Sequence, residues 1–193
     1  MTRTDSREDT RTEMSLTLAE TEDLDPAIHL YRDAFTELNR LTVQNHMMSI
    51  PEFEAMAADT RIRKYTEWDA AGEMVGLSVM TNQLAAWPYV SAPYFEHHYP
   101  DLYDRGAIWY IGFVCAAKTA PRETFSRLIA AMMGPIRESR GMGVLDYSAY
   151  VMNPARHLDR SSKAIIGRIA PLRSATEIDS QHYIAYDFDW PAA

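Results

Sequence analysis

The stretch from Gly106 to Arg140 constrains this chain more than any other, because it reads as an apolar strand, a tight turn and a long helix in immediate succession. Ala107-Ile-Trp-Tyr-Ile-Gly-Phe-Val-Cys-Ala116 is an unbroken apolar run of strand length, rich in β-branched and aromatic side chains. A strand of that composition is covered on both faces and belongs in the middle of a sheet. Lys118-Thr-Ala-Pro121 then turns the chain. Phe125, Leu128, Ile129, Met132, Met133 and Ile136 follow at helical spacing, until Gly141-Met-Gly143 stops the helix. The first N–H groups of a helix are unpaired and point outward, so many folds hold an anion at such a handover.

The rest of the composition narrows the class. At 193 residues, with 47% hydrophobic side chains, the chain has the material for one substantial core without disulfides or metals. Nineteen Lys and Arg against 27 Asp and Glu give a formal charge of -8, which disfavours nucleic acid or an anionic membrane surface as the main partner. Cys115 is the single cysteine and lies in the most apolar segment, so no disulfide framework exists and a reducing cytoplasm is expected. No stretch approaches the roughly 18 apolar residues of a membrane span.

Residues 1 to 13 are polar and mixed in charge, and the sequence predicts a flexible tail there, with a single domain over 14 to 193. Leu16 and Leu18 suggest a short first strand ending near Glu20. Asp25-Pro26 has the form of a helix start, the carboxylate capping and the proline at the first helical position, and Ile28, Tyr31, Phe35, Leu38 and Leu41 follow as one apolar stripe. Ser49-Ile-Pro-Glu52 reads as a capping box opening a second helix to about Ala58. Arg61 to Trp68 and Glu73 to Thr81 flank a turn, Asp69-Ala-Ala-Gly72, that joins antiparallel strands, and Gly76 marks a close approach in the second. The aromatic segment from Asn82 to Arg105 is long enough to need a task or short helices of its own. Further strands are expected over Val144 to Tyr150, Ile169 to Ile178 and His182 to Phe188. A helix opened by Asn153-Pro154 and closed at Gly167 lies among them.

This order of elements resembles the general-control-type N-acetyltransferase (GNAT) superfamily. The local matches are Leu16-Thr-Leu-Ala-Glu-Thr-Glu-Asp-Leu24 leading into the Ala34-Phe35 helix, the hairpin ending Gly72-Glu-Met-Val-Gly76, the Ile111-to-Cys115 strand feeding a long helix, and Asn153 after the next strand. The resemblance implies a mixed, mostly antiparallel sheet of about six to seven strands flanked by about four helices. It also implies transfer of an acyl group, usually acetyl, from acetyl-CoA or another acyl-CoA to a small amine or amino terminus by direct attack. In this reading the backbone of Val114 and Ala116, the side chains of Lys118 and Arg122, and Asn153 hold the acyl-CoA. One departure stands out: Ala120-Pro-Arg-Glu-Thr-Phe125 occupies the place of the family's glycine-rich pyrophosphate loop and contains no glycine. Pro121 donates no hydrogen bond and Glu123 adds a negative charge, while Lys118 and Arg122 offer side-chain cations instead.

Acyl transfer to an amine needs an edge that holds the acyl arm, a donor for the developing oxyanion and a base for the ammonium proton. The central strand offers backbone N–H groups for the first two. Glu96 and His98, with His97 beside them, are the candidate bases, since imidazole suits proton transfer near neutral pH. The helix after Asn153 offers no tyrosine to protonate the leaving thiolate, so Tyr147 and Tyr150 on the preceding strand are the nearest substitutes. Adjacent His97 and His98 do not form a metal-ligand spacing, and a thiol inside an apolar strand is a poor nucleophile. The aromatics between Trp87 and Tyr103 would line an acceptor pocket, form a lid or bury themselves in a homodimer contact. The rival reading is a module of the same fold that has lost CoA binding and serves as a ligand-binding or protein-interaction domain.

Overall fold

A computed structural model describes residues 11–15, 18, 24–45, 47–152 and 158–187. Five strands form one sheet in chain order: β1 (Arg11–Ser15), β2 (Arg63–Trp68), β3 (Met74–Thr81), β4 (Ile108–Ala116) and β5 (Met142–Val144). The first four are antiparallel neighbours, whereas β4 and β5 run parallel over only three pairs, Ile108 with Met142 to Tyr110 with Val144. A parallel pair needs a crossover, and helix α5 (Thr124–Glu138) supplies it.

Helices α1 (Asp25–Leu41) and α2 (Ile50–Ala58) precede the β2–β3 hairpin, and α3 (Ala92–His98) and α4 (Pro100–Asp104) precede β4. Two short elements close the described chain, α6 (Ala149–Met152) and α7 (Leu158–Ile169). One core cluster joins α1, α2, α3 and the sheet face carrying Leu77, Val79, Ile108, Tyr110 and Phe113; the other joins α5 and α7 to the face carrying Tyr65, Met80, Trp109 and Ile111. The unbroken apolar run of β4 is thus explained, since both its faces are covered.

The hairpin, the capping box and the central strand feeding a long helix follow the sequence expectation. Ser49 accepts from the Glu52 N–H while the Glu52 carboxylate accepts from the Ser49 N–H at 2.7 Å. Ser49→Ala should therefore lower stability by about 1 kcal/mol in urea unfolding. Gly76 makes the close approach expected of it, for a Cβ there would lie 2.8 Å from the Thr124 methyl.

Other expectations need correction. Strand β1 begins at Arg11, inside the segment expected as a tail, and Asp25 is the first helical residue of α1 rather than its cap. The sheet has five strands among the described residues rather than six or seven, and seven α-helices rather than about four. The strand expected over Val144 to Tyr150 stops at Val144 and gives way to α6. Residues 171 to 187 carry no strand; their alternation is imperfect, and Tyr183, Ile184 and Tyr186 are exposed instead of sharing a buried face. The Asn153-Pro154 start lies outside the described residues. No helix among the described residues is long and apolar enough to cross a membrane.

Candidate active site at the fork between β4 and β5

Gly112 sets the geometry of the central strand. Val79 pairs with Phe113 and Met80 with Ile111, so Gly112 is an extra residue on β4, a β-bulge. The bulge shifts the side-chain phase by one: Ile108 and Tyr110 face the first core, and so do Phe113 and Cys115, whereas strict alternation would have sent the latter pair to the other face. Only glycine fits, because a Cβ at this position would lie 2.4 Å from the Trp87 ring.

Beyond the bulge, β4 loses its partner on one side. β5 ends at Val144 opposite Tyr110, so from Ile111 onward no strand among the described residues covers that edge. Ala117 donates to the Val75 carbonyl opposite it at 2.9 Å. Antiparallel pairs alternate between exchanging hydrogen bonds and not exchanging them, so Cys115 also bonds toward β3, while Val114 and Ala116 direct their N–H and C=O groups away from β3, into the fork. Those two residues are the ones for which the sequence reading assigned backbone roles.

The handover to α5 consists of two successive turns, closed by Ala120 N–H to Ala117 O and by Thr124 N–H to Pro121 O, each at 3.0 Å. Lys118 and Arg122 are exposed and lie in no ion pair among the described residues, and Glu123 is exposed beside them. Arg127 of the first α5 turn is differently placed. Its guanidinium is paired with the fully buried Glu67 of β2, which also accepts from the Thr124 hydroxyl at 2.9 Å. The start of α5 is thereby pinned to the sheet.

At the crotch of the fork, the Tyr110 hydroxyl donates to Asp146 Oδ1 at 2.5 Å, two residues past the end of β5. The Trp87 ring lies 6.0 Å from the Tyr110 ring and covers Gly112. Burial, then the adjoining Asp146 carboxylate, push the Tyr110 phenol far above its ordinary range, with the Trp87 indole offsetting part of the effect. The phenol is therefore a fixed proton donor toward Asp146.

Of the remaining sequence-predicted residues, Tyr147 is half-buried next to Asp146. Glu96 and His98 are exposed on α3, whose buried residue is Phe95, and the His98 ring packs on Tyr94 at 4.4 Å. The fold does not gather them with Tyr147 on one element. Asn153 lies outside the described residues. Burial pushes the Cys115 thiol up to about 12, so it stays protonated, and no group of three or more His, Cys, Asp or Glu among the described residues is arranged to hold a metal. Sequence reasoning missed Gly112, Tyr110, Asp146 and the Glu67–Arg127 pair. A glycine inside an otherwise unbroken apolar strand was the available signal for the bulge. Nothing local marks the others, whose partners lie 36 and 60 residues away.

The fold is that of the GNAT acetyltransferases, as the element order implied. The chain resembles an aminoglycoside acetyltransferase from an uncultured soil metagenomic sample, solved in complex with sisomicin: TM-score 0.53 at 13% identity, covering 92% of this chain and 97% of that one. It also resembles a protein described as a transcriptional regulator from Bacillus halodurans C-125, with TM-score 0.52 at 15% identity, covering 91% of this chain and 100% of that one. At such identities the likeness is one of fold. No protein-family model matches the chain, and no curated protein matches it in sequence.

Proposed function

We propose that this protein is an acyl-CoA-dependent N-acyltransferase that passes an acyl group, in the simplest case acetyl, to an amine. The observation that carries the reading is the fork: a bulged central strand whose Val114 and Ala116 backbone groups point away from β3, past the end of β5, where no strand among the described residues pairs with them. An amide-bearing acyl arm laid along that edge continues the sheet's hydrogen bonding, and an N–H already fixed in the strand stabilises the oxyanion without reorganising. Lys118 and Arg122 at the handover take the pyrophosphate through charge-assisted side-chain bonds, in place of a glycine-rich backbone cradle, with Asn153 as a further polar contact. Tyr147, beside the fork, returns a proton to the departing thiolate. Glu96 or His98, exposed on α3, relays the amine proton through water.

Isothermal titration with acetyl-CoA should show saturable heat. Lys118→Ala/Arg122→Ala should weaken that affinity at least about tenfold, or 1.4 kcal/mol. Absence of heat with acetyl-CoA and with longer acyl-CoAs would reject the transferase reading. One observation favours the alternative, a fold that no longer binds CoA: Pro121 and Glu123 sit where a neutral, flexible loop would serve phosphates best, and the nearest arginine of α5 is committed to Glu67. The same titration separates the two.

A further inference from the structure

We propose that residues 170 to 178 form a strap across the open side of the fork, latched by the Tyr94 hydroxyl, which swings aside each time an acyl-CoA enters or leaves. What the strap admits rests on the acyltransferase reading; the latch follows from the fold alone.

The first observation is the path of the chain. Helix α7 ends at Ile169, which packs with Ile165 and Ile166 into the core on the α5 face. Ile178 packs into the other core, on the α1 face. The nine residues between these footholds therefore carry the chain from one side of the sheet to the other, with a reach of about 30 Å. Helix α6 begins five residues past the end of β5, and α7 packs on α6, so the strap sets out from the β5 side. A route round β1 would add four strand spacings, about 19 Å, out and the same back. The chain has no length for that detour, so it goes by β5, the side on which β4 has no partner beyond Tyr110.

The second is how the strap is held. Residues 171 to 177 are exposed and make no hydrogen bond or ion pair among the described residues. A strand over Ile169 to Ile178, which the sequence suggested, would have been fixed by a ladder; this segment has only its two ends. At the far end the Tyr94 hydroxyl donates to the Ile178 carbonyl at 3.0 Å. The Tyr94 ring is itself clamped, edge-on to Phe95 at 5.3 Å and against His98 at 4.4 Å, so the phenol is aimed before Ile178 arrives. A segment with one hydrogen bond, one half-buried side chain and no ladder opens at small cost, as gating segments do.

The third is where the latch stands. Trp87 covers Gly112, the first residue of β4 past Ile111, and two hydrogen-bonded turns lead from Trp87 to Tyr94: Val90 N–H to Trp87 O at 3.3 Å and Tyr94 N–H to Ser91 O at 3.2 Å. Each turn holds its ends within about 7 Å, so the latch lies close to the point where β4 and β5 part. An acyl arm laid along Val114 and Ala116 would lie on the inner side of the strap.

The test uses the full chain with two introduced cysteines, Ser174→Cys on the strap and Ala130→Cys on the exposed side of α5, spin-labelled for distance measurement. Cys115 is buried and stays unlabelled. Tyr94→Phe keeps the ring against His98 and removes only the latch hydroxyl. A neutral hydrogen bond carries about a fivefold change in such an equilibrium, so Tyr94→Phe should raise the displaced share of the strap about fivefold. Ile178→Ser, which also removes the apolar foothold, should raise it further. In stopped-flow mixing of unlabelled protein, acetyl-CoA should both enter and leave Tyr94→Phe about fivefold faster, with Kd within twofold of wild type, because a gate scales both rates and a ligand contact scales one. A Tyr94→Phe distance distribution identical to that of the wild type overturns the latch. A loosened strap with unchanged acetyl-CoA rates overturns the gate and leaves the acyltransferase reading standing. Faster departure alone, with Kd weakened to match, does the same by making the strap a ligand contact. A wild type that binds no acyl-CoA removes the transferase reading, and the gate with it, whatever the distances show.

Discussion

Gly112→Ala should destabilise the protein by about 2–3 kcal/mol, a large effect for one methyl group, because it overpacks a site with no slack. The added Cβ would lie 2.4, 2.5 and 2.9 Å from three carbons of the Trp87 ring, and the other wall is the strand itself. Trp87 is only 5% exposed and packs on Tyr110, so the indole can retreat only by disturbing the phenol that holds Asp146. Stability and site geometry should fail together: chemical unfolding should shift to lower denaturant, and Trp emission should move to the red. The attribution is checked by a double-mutant cycle. In a Trp87→Leu background the glycine-to-alanine penalty should shrink by about 1.5 kcal/mol or more, since the colliding ring is gone. If the penalty is the same in both backgrounds, the cost lies in the bulged backbone and not in the indole.

How legible this was in the sequence depends on the distance over which each signal acts. The capping box at Ser49–Glu52, the turn at Asp69–Gly72 and the apolar stripes of α1 and α5 are governed by neighbours within a turn or a strand pair, and the structure contains them, apart from Leu41 at the end of the α1 stripe, which is exposed. The covered central strand was readable for the same reason, because its composition reports burial on both faces. What the sequence could not show is where β4 and β5 part. Parting depends on β5 having three residues rather than seven, and Val144-Leu-Asp-Tyr-Ser-Ala-Tyr150 is as compatible with a strand by composition as with the short helix that follows. Asp146 shares that ambiguity, since its place at the crotch of the fork exists only because β5 stops two residues before it. The base candidates illustrate the converse. Glu96-His-His98 drew notice as a cluster of reactive side chains, yet α3 buries Phe95 and turns all three outward.

Glu67→Ala carries the other large expected effect, a loss of about 3–4 kcal/mol. Glu67 is fully buried in β2 and serves as common acceptor for the Thr124 hydroxyl and for Nε and Nη2 of Arg127. Removing it leaves the buried Thr124 hydroxyl without its acceptor, which costs about 1–3 kcal/mol, and empties the volume beside Gly76. The Arg127 side chain is 34% exposed and can turn to water, which keeps the total near the low end of what breaking a buried pair costs. An intact pair is nonetheless weak support for a fold, since replacing every member with apolar groups of similar shape is often neutral. Glu67→Leu/Thr124→Val/Arg127→Met should therefore recover most of the stability lost by Glu67→Ala alone, as judged by urea midpoints at constant slope. The contrast has a functional counterpart. If the pair exists to withhold Arg127 from the handover turn, releasing that arginine by Glu67→Ala should tighten acetyl-CoA binding even as the fold weakens, whereas the triple variant, with no arginine to release, should bind as the wild type does. Unchanged affinity in Glu67→Ala would confine the pair to its structural task of fixing where α5 begins.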